Sequence, residues 1–104
     1  MMVTTTRITI SPERRKGFFQ TITPLTARIL SEEGCITYRL YEESGLENTM
    51  ILIEEWEAES HWRNHRNGTN FAVLLGLVSV VSKPSEIDFK VLSQIGGNEE
   101  IRDL

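Results

Sequence analysis

Alternating apolar and polar residues predict β-strands in four segments of this chain. In the first segment, Ile8 and Ile10 fall on one face, and Arg7 and Thr9 fall on the other. β-branched residues are frequent there, as is typical of strands. A polar stretch of about five residues separates the second segment from the third and predicts an antiparallel hairpin. The four predicted strands cover residues 3–10, 35–43, 49–57 and 87–94.

Apolar side chains spaced by four and three residues predict a long helix after the first strand. Ser11-Pro12-Glu13 has the composition of a helix start, with a hydroxyl N-cap and a proline at the first helical position. Gly34 suits the left-handed conformation that ends many helices. Pro24 removes one backbone hydrogen bond inside this helix, so we expect a kink or a break there. The residues predicted to be buried are Phe18, Ile22, Leu25 and Ile29.

Gly68 divides the second helical region into two helices. Residues 60–67 form the first, and residues 69–81 form the second, which Lys83-Pro84-Ser85 ends. The side chains of the second helix that we expect to point inward are Phe71, Leu74, Leu75 and Val78.

The predicted order is strand, helix, strand, strand, helix, strand. This is the split βαβ arrangement of α+β, ferredoxin-like domains, with a four-stranded antiparallel sheet and helices on one face. At 104 residues the chain has the length of one domain. We therefore predict a single domain over residues 1–104, with a core at about residues 3–95 and a polar tail at residues 96–104.

Two helices cover one face of such a sheet and leave the other face uncovered. A strict alternation along each strand gives this face a composition too apolar to remain in water. We therefore expect a homodimer in which two sheets face each other across a twofold axis. A monomer with an amphipathic face is the alternative. The residues assigned to the uncovered face are Arg7, Thr37, Arg39, Tyr41, Met50, Leu52, Trp56 and Leu92.

Composition and charge exclude several classes of protein. Apolar residues make up 39% of the chain and charged residues 25%, which is typical of a folded domain. The net charge of −4 supplies no basic surface for nucleic acid, and the strands lack the aromatic signature of RNA-binding split βαβ domains. Cys35 is the only cysteine, so an intrachain disulfide is excluded. We expect this thiol to be inert packing.

No apolar stretch approaches the roughly 20 residues that span a bilayer. Near the amino terminus, polar Thr4-Thr5-Thr6 stands where a signal peptide would carry apolar residues. We therefore expect a cytoplasmic protein that does not contact a membrane.

Trp56 and His65 are the first candidates for a functional site. Trp56 closes an apolar strand, and His65 follows nine residues later on the next helix. Imidazole titrates near neutral pH and suits a general base or a hydrogen-bond partner, although a structural histidine is the alternative. Trp56 and Trp62 suit the walls of a pocket for a planar ligand or, alternatively, the core. Tyr38 suits a hydrogen-bond donor to a substrate oxygen or a partner for buried backbone.

Glu54 and His61 have weaker claims to chemistry. Glu54 lies in an apolar strand and, if buried, needs a partner, for which Arg7 or Arg39 is available. His61 lies one turn before His65, which is a spacing found in metal sites. Zinc would require a third protein ligand, and the glutamate of the metalloprotease helix motif is absent. We therefore predict no metal site.

These residues, taken in order, resemble the antibiotic biosynthesis monooxygenase domain family, and within it the small bacterial quinol monooxygenases. The resemblance covers residues 3 to about 95 and implies a dimeric α/β barrel. The pieces that carry it are Glu32-Glu33-Gly34-Cys35 with Tyr38, Ile53-Glu54-Glu55-Trp56-Glu57, His65 and Phe71.

The sequence also departs from parts of this family. Its haem-degrading members carry an asparagine in the first strand and an axial histidine in the last helical segment. Thr5-Thr6-Arg7 and Val73-Leu74-Leu75 occupy those places here, so haem degradation is not expected. Asn70 stands where many members have a histidine, immediately before the aromatic residue Phe71. A mechanism that needs two imidazoles is therefore in doubt.

The resemblance implies a monooxygenase that oxidises a small phenolic or quinol-like substrate with O2. Such a substrate, once deprotonated, donates an electron to oxygen itself, so no cofactor is expected. The roles implied are deprotonation or anion stabilisation for His65, pocket walls for Trp56 and Phe71, and substrate orientation for Tyr38 or Asn70. A non-catalytic, dimeric small-molecule binding or regulatory domain is the alternative.

Overall fold

The structure, a computed structural model, describes residues 1–83 and 87–92. One four-stranded antiparallel sheet has the strand order β2-β3-β1-β4, which gives the predicted ferredoxin-like α+β fold. The predicted breaker Pro84-Ser85, the end of the last predicted strand and the polar tail 96–104 lie outside the described residues. The elements are β1 (Met2–Thr9), a 3-10 turn (Pro12–Arg14), α1 (Arg15–Leu30), β2 (Cys35–Glu42), β3 (Thr49–Trp56), α2 (Glu59–Arg66), α3 (Thr69–Val81) and β4 (Ile87–Leu92).

Helix α1 covers the sheet with the apolar face that its spacing predicts. Its buried residues are the four expected ones, Phe18, Ile22, Leu25 and Ile29. Of the kink or break expected at Pro24, the break does not occur, because α1 is continuous through this residue. Ser11 occupies the predicted N-cap position and Pro12 follows it, but the helical turn that they begin is a 3-10 turn. The Ser11 hydroxyl makes no cap hydrogen bond and instead donates to the carbonyl of Val81 at 3.2 Å, while a 3-10 turn leads into α1.

The pairing register corrects the predicted faces of strand β3. Met50, Leu52 and Trp56 are fully buried in the core with the helices, not on the uncovered face. Both faces of β3 carry apolar residues, so alternation alone does not show which face turns inward. The described side chains that share the uncovered face are, by register, Val3, Thr5, Arg7, Thr37, Arg39, Tyr41, Ile51, Ile53, Glu55, Lys90 and Leu92.

A β-bulge at the start of β2 changes the faces of its first residues. Cys35 lies opposite Trp56, but Thr37 lies opposite Glu55, so one extra residue is inserted between them. That residue, Ile36, is 44% exposed instead of pointing inward with Tyr38, as the alternation predicts. The bulge therefore places Cys35 and Tyr38 on the same, helix-covered face.

Helix α3 buries Leu74, Val78 and Val81, and Phe71 packs partly buried against the core. The predicted inward position of Leu75 is wrong, since this side chain is 54% exposed. α3 is apolar around most of its circumference, so its periodicity does not select one face. Among the described residues, no helix combines the length and the apolar character needed to cross a membrane.

Gly34 joins α1 to β2 in the left-handed backbone region, with φ of +81°. A Cβ atom on this residue would overlap the imidazole ring of His61 on α2. Gly45, in the turn between β2 and β3, has nearly the same backbone (φ +82°), but a Cβ there has nothing within 4 Å. Gly34 is thus required both by its backbone and by the close approach of α2.

We expect Gly34→Ala to lower the free energy of unfolding more than Gly45→Ala does. Both substitutions carry the cost of a left-handed alanine, about 1–2 kcal/mol, and only Gly34→Ala also displaces His61. Urea denaturation of the two variants measures the difference. Equal losses of stability would show that the His61 ring moves aside at no cost.

Candidate functional site

His65 is buried between two carboxylates that come from different parts of the chain. It lies on the inner face of α2, with 1% of its side-chain surface exposed. Its Nδ1 atom lies 2.9 Å from Oε2 of Glu32 and 3.1 Å from Oε1. Its Nε2 atom lies 3.7 Å from Oε1 of Glu54. Because a carboxylate accepts hydrogen bonds, Nδ1 is the donor to Glu32, and Nε2 is directed toward Glu54.

Glu32 follows the carboxyl end of α1 and holds His65 from that side. Its side chain is 24% exposed, and it also accepts a hydrogen bond of 3.2 Å from Nδ2 of Asn70. In the sequence, Glu32 was part of a family motif, and its contact with His65 was not predicted. Its position after the end of α1 was a clue, because the negative end of a helix dipole disfavours a carboxylate. An acid at this position therefore calls for a specific partner.

Glu54 is a buried carboxylate on the helix-covered face of β3. It accepts hydrogen bonds from Oγ1 of Thr4 at 2.9 Å and from Nε1 of Trp56 at 3.2 Å. Burial raises the pKa of Glu54, and this effect outweighs the hydrogen bond from Thr4, the nearby His65 and the hydrogen bond from Trp56, which act in the opposite direction. Glu54 therefore holds its proton to a higher pH than an exposed glutamate does.

The predicted arginine partners of Glu54 are wrong. Arg7 and Arg39 lie on the opposite face of the sheet, because Arg7 pairs with Ile51 and Arg39 with Ile53 in the register. Arg7 instead forms an ion pair with Glu43, with its Nε atom 2.9 Å from Oε1. Glu54 thus receives no guanidinium from these strands.

Aromatic rings surround the His65 imidazole. The ring centroid of Trp56 lies 4.8 Å from that of His65, that of Phe71 lies 5.5 Å away, and that of Tyr38 lies 6.1 Å away. Asn70 reaches the group through its hydrogen bond to Glu32. The structure therefore brings the five residues singled out from the sequence into one cluster, and it adds Glu32, Glu54 and Thr4.

Two polar atoms of this cluster, Nε2 of His65 and the hydroxyl oxygen of Tyr38, are buried without a hydrogen-bond partner among the described residues. Burial, followed by the nearby Glu54, raises the pKa of Tyr38, so its phenol stays neutral. Buried polar groups without partners are costly and mark places where a polar molecule gains binding energy.

The thiol of Cys35 borders this cluster but is not activated. Burial, together with Glu54 and Glu32, raises the pKa of Cys35 to about 11. A thiol becomes a nucleophile when its pKa is lowered, so this environment is the reverse of a reactive one. The geometry agrees with the packing role expected from the sequence.

A cavity of about 300 Å³ lies between the sheet and helices α2 and α3. Among the described residues that line it, Glu54 is the only carboxylate, and Phe71 is the only one of the five predicted residues. His65 is not a lining residue, but it lies next to two of them, Glu54 and Phe71. A second hollow, of about 780 Å³, is formed by residues 42–49 of the connection between β2 and β3 and is open to solvent.

The residues that line the 300 Å³ cavity are Thr6, Ile8, Leu52, Glu54, Trp62, Arg66, Phe71, Leu74, Leu75 and Val78.

The described part of the chain holds no group of three His, Cys, Asp or Glu side chains that is placed to bind a metal ion. The Nε2 atom of His61 lies 4.0 Å from a carboxylate oxygen of Glu57, and the ring packs against Gly34. Glu54 brings a proton acceptor into contact with a mostly apolar cavity.

The family profile described as antibiotic biosynthesis monooxygenase matches residues 1–74, which include Glu32, Glu54 and His65. A protein of Bacillus subtilis (strain 168) named "Putative monooxygenase YcnE" is 32% identical over 71 residues, which are 68% of this chain and 75% of that protein. A conserved protein from Methanosarcina mazei Go1 has the same fold, with a TM-score of 0.83 and 23% identity over 90% of this chain and 92% of that one. A solved antibiotic biosynthesis monooxygenase gives a TM-score of 0.82 at 18% identity over 92% and 100% of the two chains. This chain belongs to the antibiotic biosynthesis monooxygenase family.

Proposed function

We propose that this protein is a monooxygenase that oxidises a small phenolic or quinol-like substrate with O2 and needs no cofactor. One observation carries the proposal. A single buried carboxylate, Glu54, lines an otherwise mostly apolar cavity, and a histidine held by a second carboxylate lies directly behind it. A proton acceptor in such a cavity suits a substrate that becomes reactive when it loses a proton.

In the proposed reaction, Glu54 takes the proton of the substrate hydroxyl. The phenolate passes one electron to O2, and the resulting phenoxyl radical and superoxide combine to form a carbon–oxygen bond. The peroxide oxygen takes the proton back from Glu54. Glu54 then removes the hydrogen from the same ring carbon while the O–O bond breaks, and the departing hydroxide takes that proton. A phenol and O2 thus give a quinone and one water, and one atom of the O2 enters each product.

The raised pKa of Glu54 suits this sequence of steps. A carboxyl group must both accept and return a proton, and it does so best when its pKa lies close to the working pH. Burial moves the pKa of Glu54 in that direction. The apolar walls of the cavity would offer few polar groups to hold water beside the reactive peroxide.

We assign His65 to a position one step behind the substrate. Its Nε2 atom faces Glu54 at 3.7 Å, and a movement of about 0.5–1 Å would bring the two into hydrogen-bond distance. The Glu32 carboxylate accepts a hydrogen bond from Nδ1 and keeps Nε2 directed toward Glu54. His65 then stabilises the negative charge that appears on Glu54 or on the bound phenolate. Trp56 and Tyr38 hold the ring in place, and Phe71 forms part of the cavity wall.

Glu54→Gln removes the proton acceptor but keeps the size of the side chain. We expect kcat/KM for a quinol to fall about 10²- to 10⁴-fold, measured as oxygen uptake. In the wild type, kcat/KM should rise with pH above the ordinary titration range of a glutamate, because only ionised Glu54 accepts a proton and its pKa is raised. This rise should be absent from the residual activity of the variant. Glu57→Gln, at an exposed position just after β3, is the control and should match the wild type.

His65→Ala, tested against a panel of quinols, examines the residue behind Glu54. We expect a clear loss of kcat with the fold retained by circular dichroism, because the charge on Glu54 or the phenolate is no longer stabilised. Equal rates for both proteins would remove His65 from the mechanism. Ligand-induced thermal stabilisation across the panel with no oxygen uptake would favour the alternative, a binding or regulatory domain without turnover.

We also propose that the uncovered sheet face packs against the same face of a second copy. Ile51 and Ile53 lie at its centre on β3 and are half-buried, and Tyr41 and Leu92 lie farther out and are exposed. Burial of these residues against an identical face would remove their apolar surface from water. The homodimer that the family resemblance implies has this arrangement.

Ile53→Arg should separate the two copies, because it places a second guanidinium opposite Arg39 on the apolar face. Sedimentation equilibrium should give twice the chain mass of 11.9 kDa for the wild type and the single chain mass for the variant. Val80→Arg, on the exposed side of α3, is the matched control and should remain dimeric. A wild type that sediments as a single chain would contradict the proposed interface.

A further inference from the structure

Arg66 lines the same cavity as Glu54 but takes no part in the reaction proposed above. It is the last residue of α2 and directly follows His65. It is the only positively charged residue among those that line the cavity. A guanidinium on the wall of a small, mostly apolar cavity is a fixed positive charge that a bound molecule must meet.

Within residues 1–83 and 87–92, Arg66 forms no ion pair with a carboxylate. The neighbouring arginine, Arg63, differs in this respect, because its Nη2 atom lies 2.9 Å from Oε1 of Glu59. Glu54 lines the same cavity, yet its polar contacts are with Thr4, Trp56 and His65 rather than with Arg66. Arg66 is exposed, so its guanidinium lies at the rim of the cavity and remains available to a ligand.

The Arg66 guanidinium lies over the indole ring of Trp62. The Cζ atom of Arg66 lies 4.8 Å from the centroid of the Trp62 ring, which is four residues earlier on the same helix. Stacking uses the flat face of a guanidinium and leaves the N–H groups in its plane as donors. Two parallel N–H groups match the two oxygens of a carboxylate.

Because the protein has a net negative charge, an anionic ligand needs a positively charged group in the cavity. The chain has a net charge of −4, and Glu54 adds a carboxylate to the cavity itself. An anion would be repelled from this cavity unless a specific cation receives it. Arg66 is the residue placed to do so.

We propose that the substrate is a phenolic carboxylic acid that binds with its hydroxyl at Glu54 and its carboxylate at Arg66. This inference rests on the proposed function, because it names the substrate class of the same cavity. Arg66 is then a specificity residue. It selects substrates by their charge and takes no part in the oxygen chemistry.

The binding of two oxygen-stable ligands tests this inference without turnover. 6-Hydroxy-2-naphthoate carries a hydroxyl and a carboxylate at opposite ends, and 2-naphthol lacks the carboxylate. We expect the wild type to bind the naphthoate about 10- to 100-fold more tightly in calorimetric titration, as for a charge-assisted hydrogen bond. Arg66→Gln should abolish this preference, so that the two ligands bind with similar affinity. Arg63→Gln, on the same helix, is the control and should keep the preference.

A wild type that binds the two ligands equally, prefers 2-naphthol or binds neither would overturn the inference. So would a preference for the naphthoate that persists in Arg66→Gln. Oxygen uptake with carboxylated and uncarboxylated quinols separates this result from the proposed function. Carboxylate preference without oxygen uptake would retain the Arg66 site and overturn the monooxygenase. Oxygen uptake without a carboxylate preference would retain the monooxygenase and overturn the Arg66 site.

Discussion

The site depends on keeping one carboxylate, Glu54, buried beneath the helices. Removing an ionisable group from water costs several kcal/mol unless its oxygens find partners. Here Thr4 on β1 and the indole of Trp56 on β3 donate to the two oxygens, and His65 on α2 faces one of them. These partners reduce the cost but do not remove it, and the raised pKa is the result. The burial that makes Glu54 costly also raises its pKa, and the raised pKa makes it a useful proton acceptor.

The same contacts position α2. A helix of eight residues is not stable by itself, so its place is set by what it packs against. His65 connects α2 to the end of α1 through Glu32 and to the sheet near Glu54, and Gly34 lets α2 approach closely. Trp62 and Arg66 lie on the same helix, so the contact that fixes the histidine also fixes the cavity wall. The interactions that form the site are thus the same ones that pack α2 against the rest of the fold.

The sequence predicted burial correctly where a segment has one apolar face and one polar face. Helix α1 is such a segment, and all four of its core residues were predicted correctly. The face of β3 could not be predicted, because apolar residues occupy both of its sides and only pairing with β1 and β2 decides between them. Leu75 was misplaced for the same reason on α3, and Ile36 because a bulge leaves no signal in the alternation. The roles of Glu32 and Glu54 were missed because both arise from long-range contacts, Glu32 lying 33 residues from His65 along the chain.

The partial exposure of Glu32 gives the buried cluster a second side. A substrate reaches Glu54 through the cavity between the sheet and α2 and α3, whereas Glu32 meets solvent beyond the imidazole, at the end of α1. Solvent contact and the entry of a ligand are thus on different sides of the cluster. A ligand that fills the cavity would leave the Glu32 carboxylate in contact with solvent.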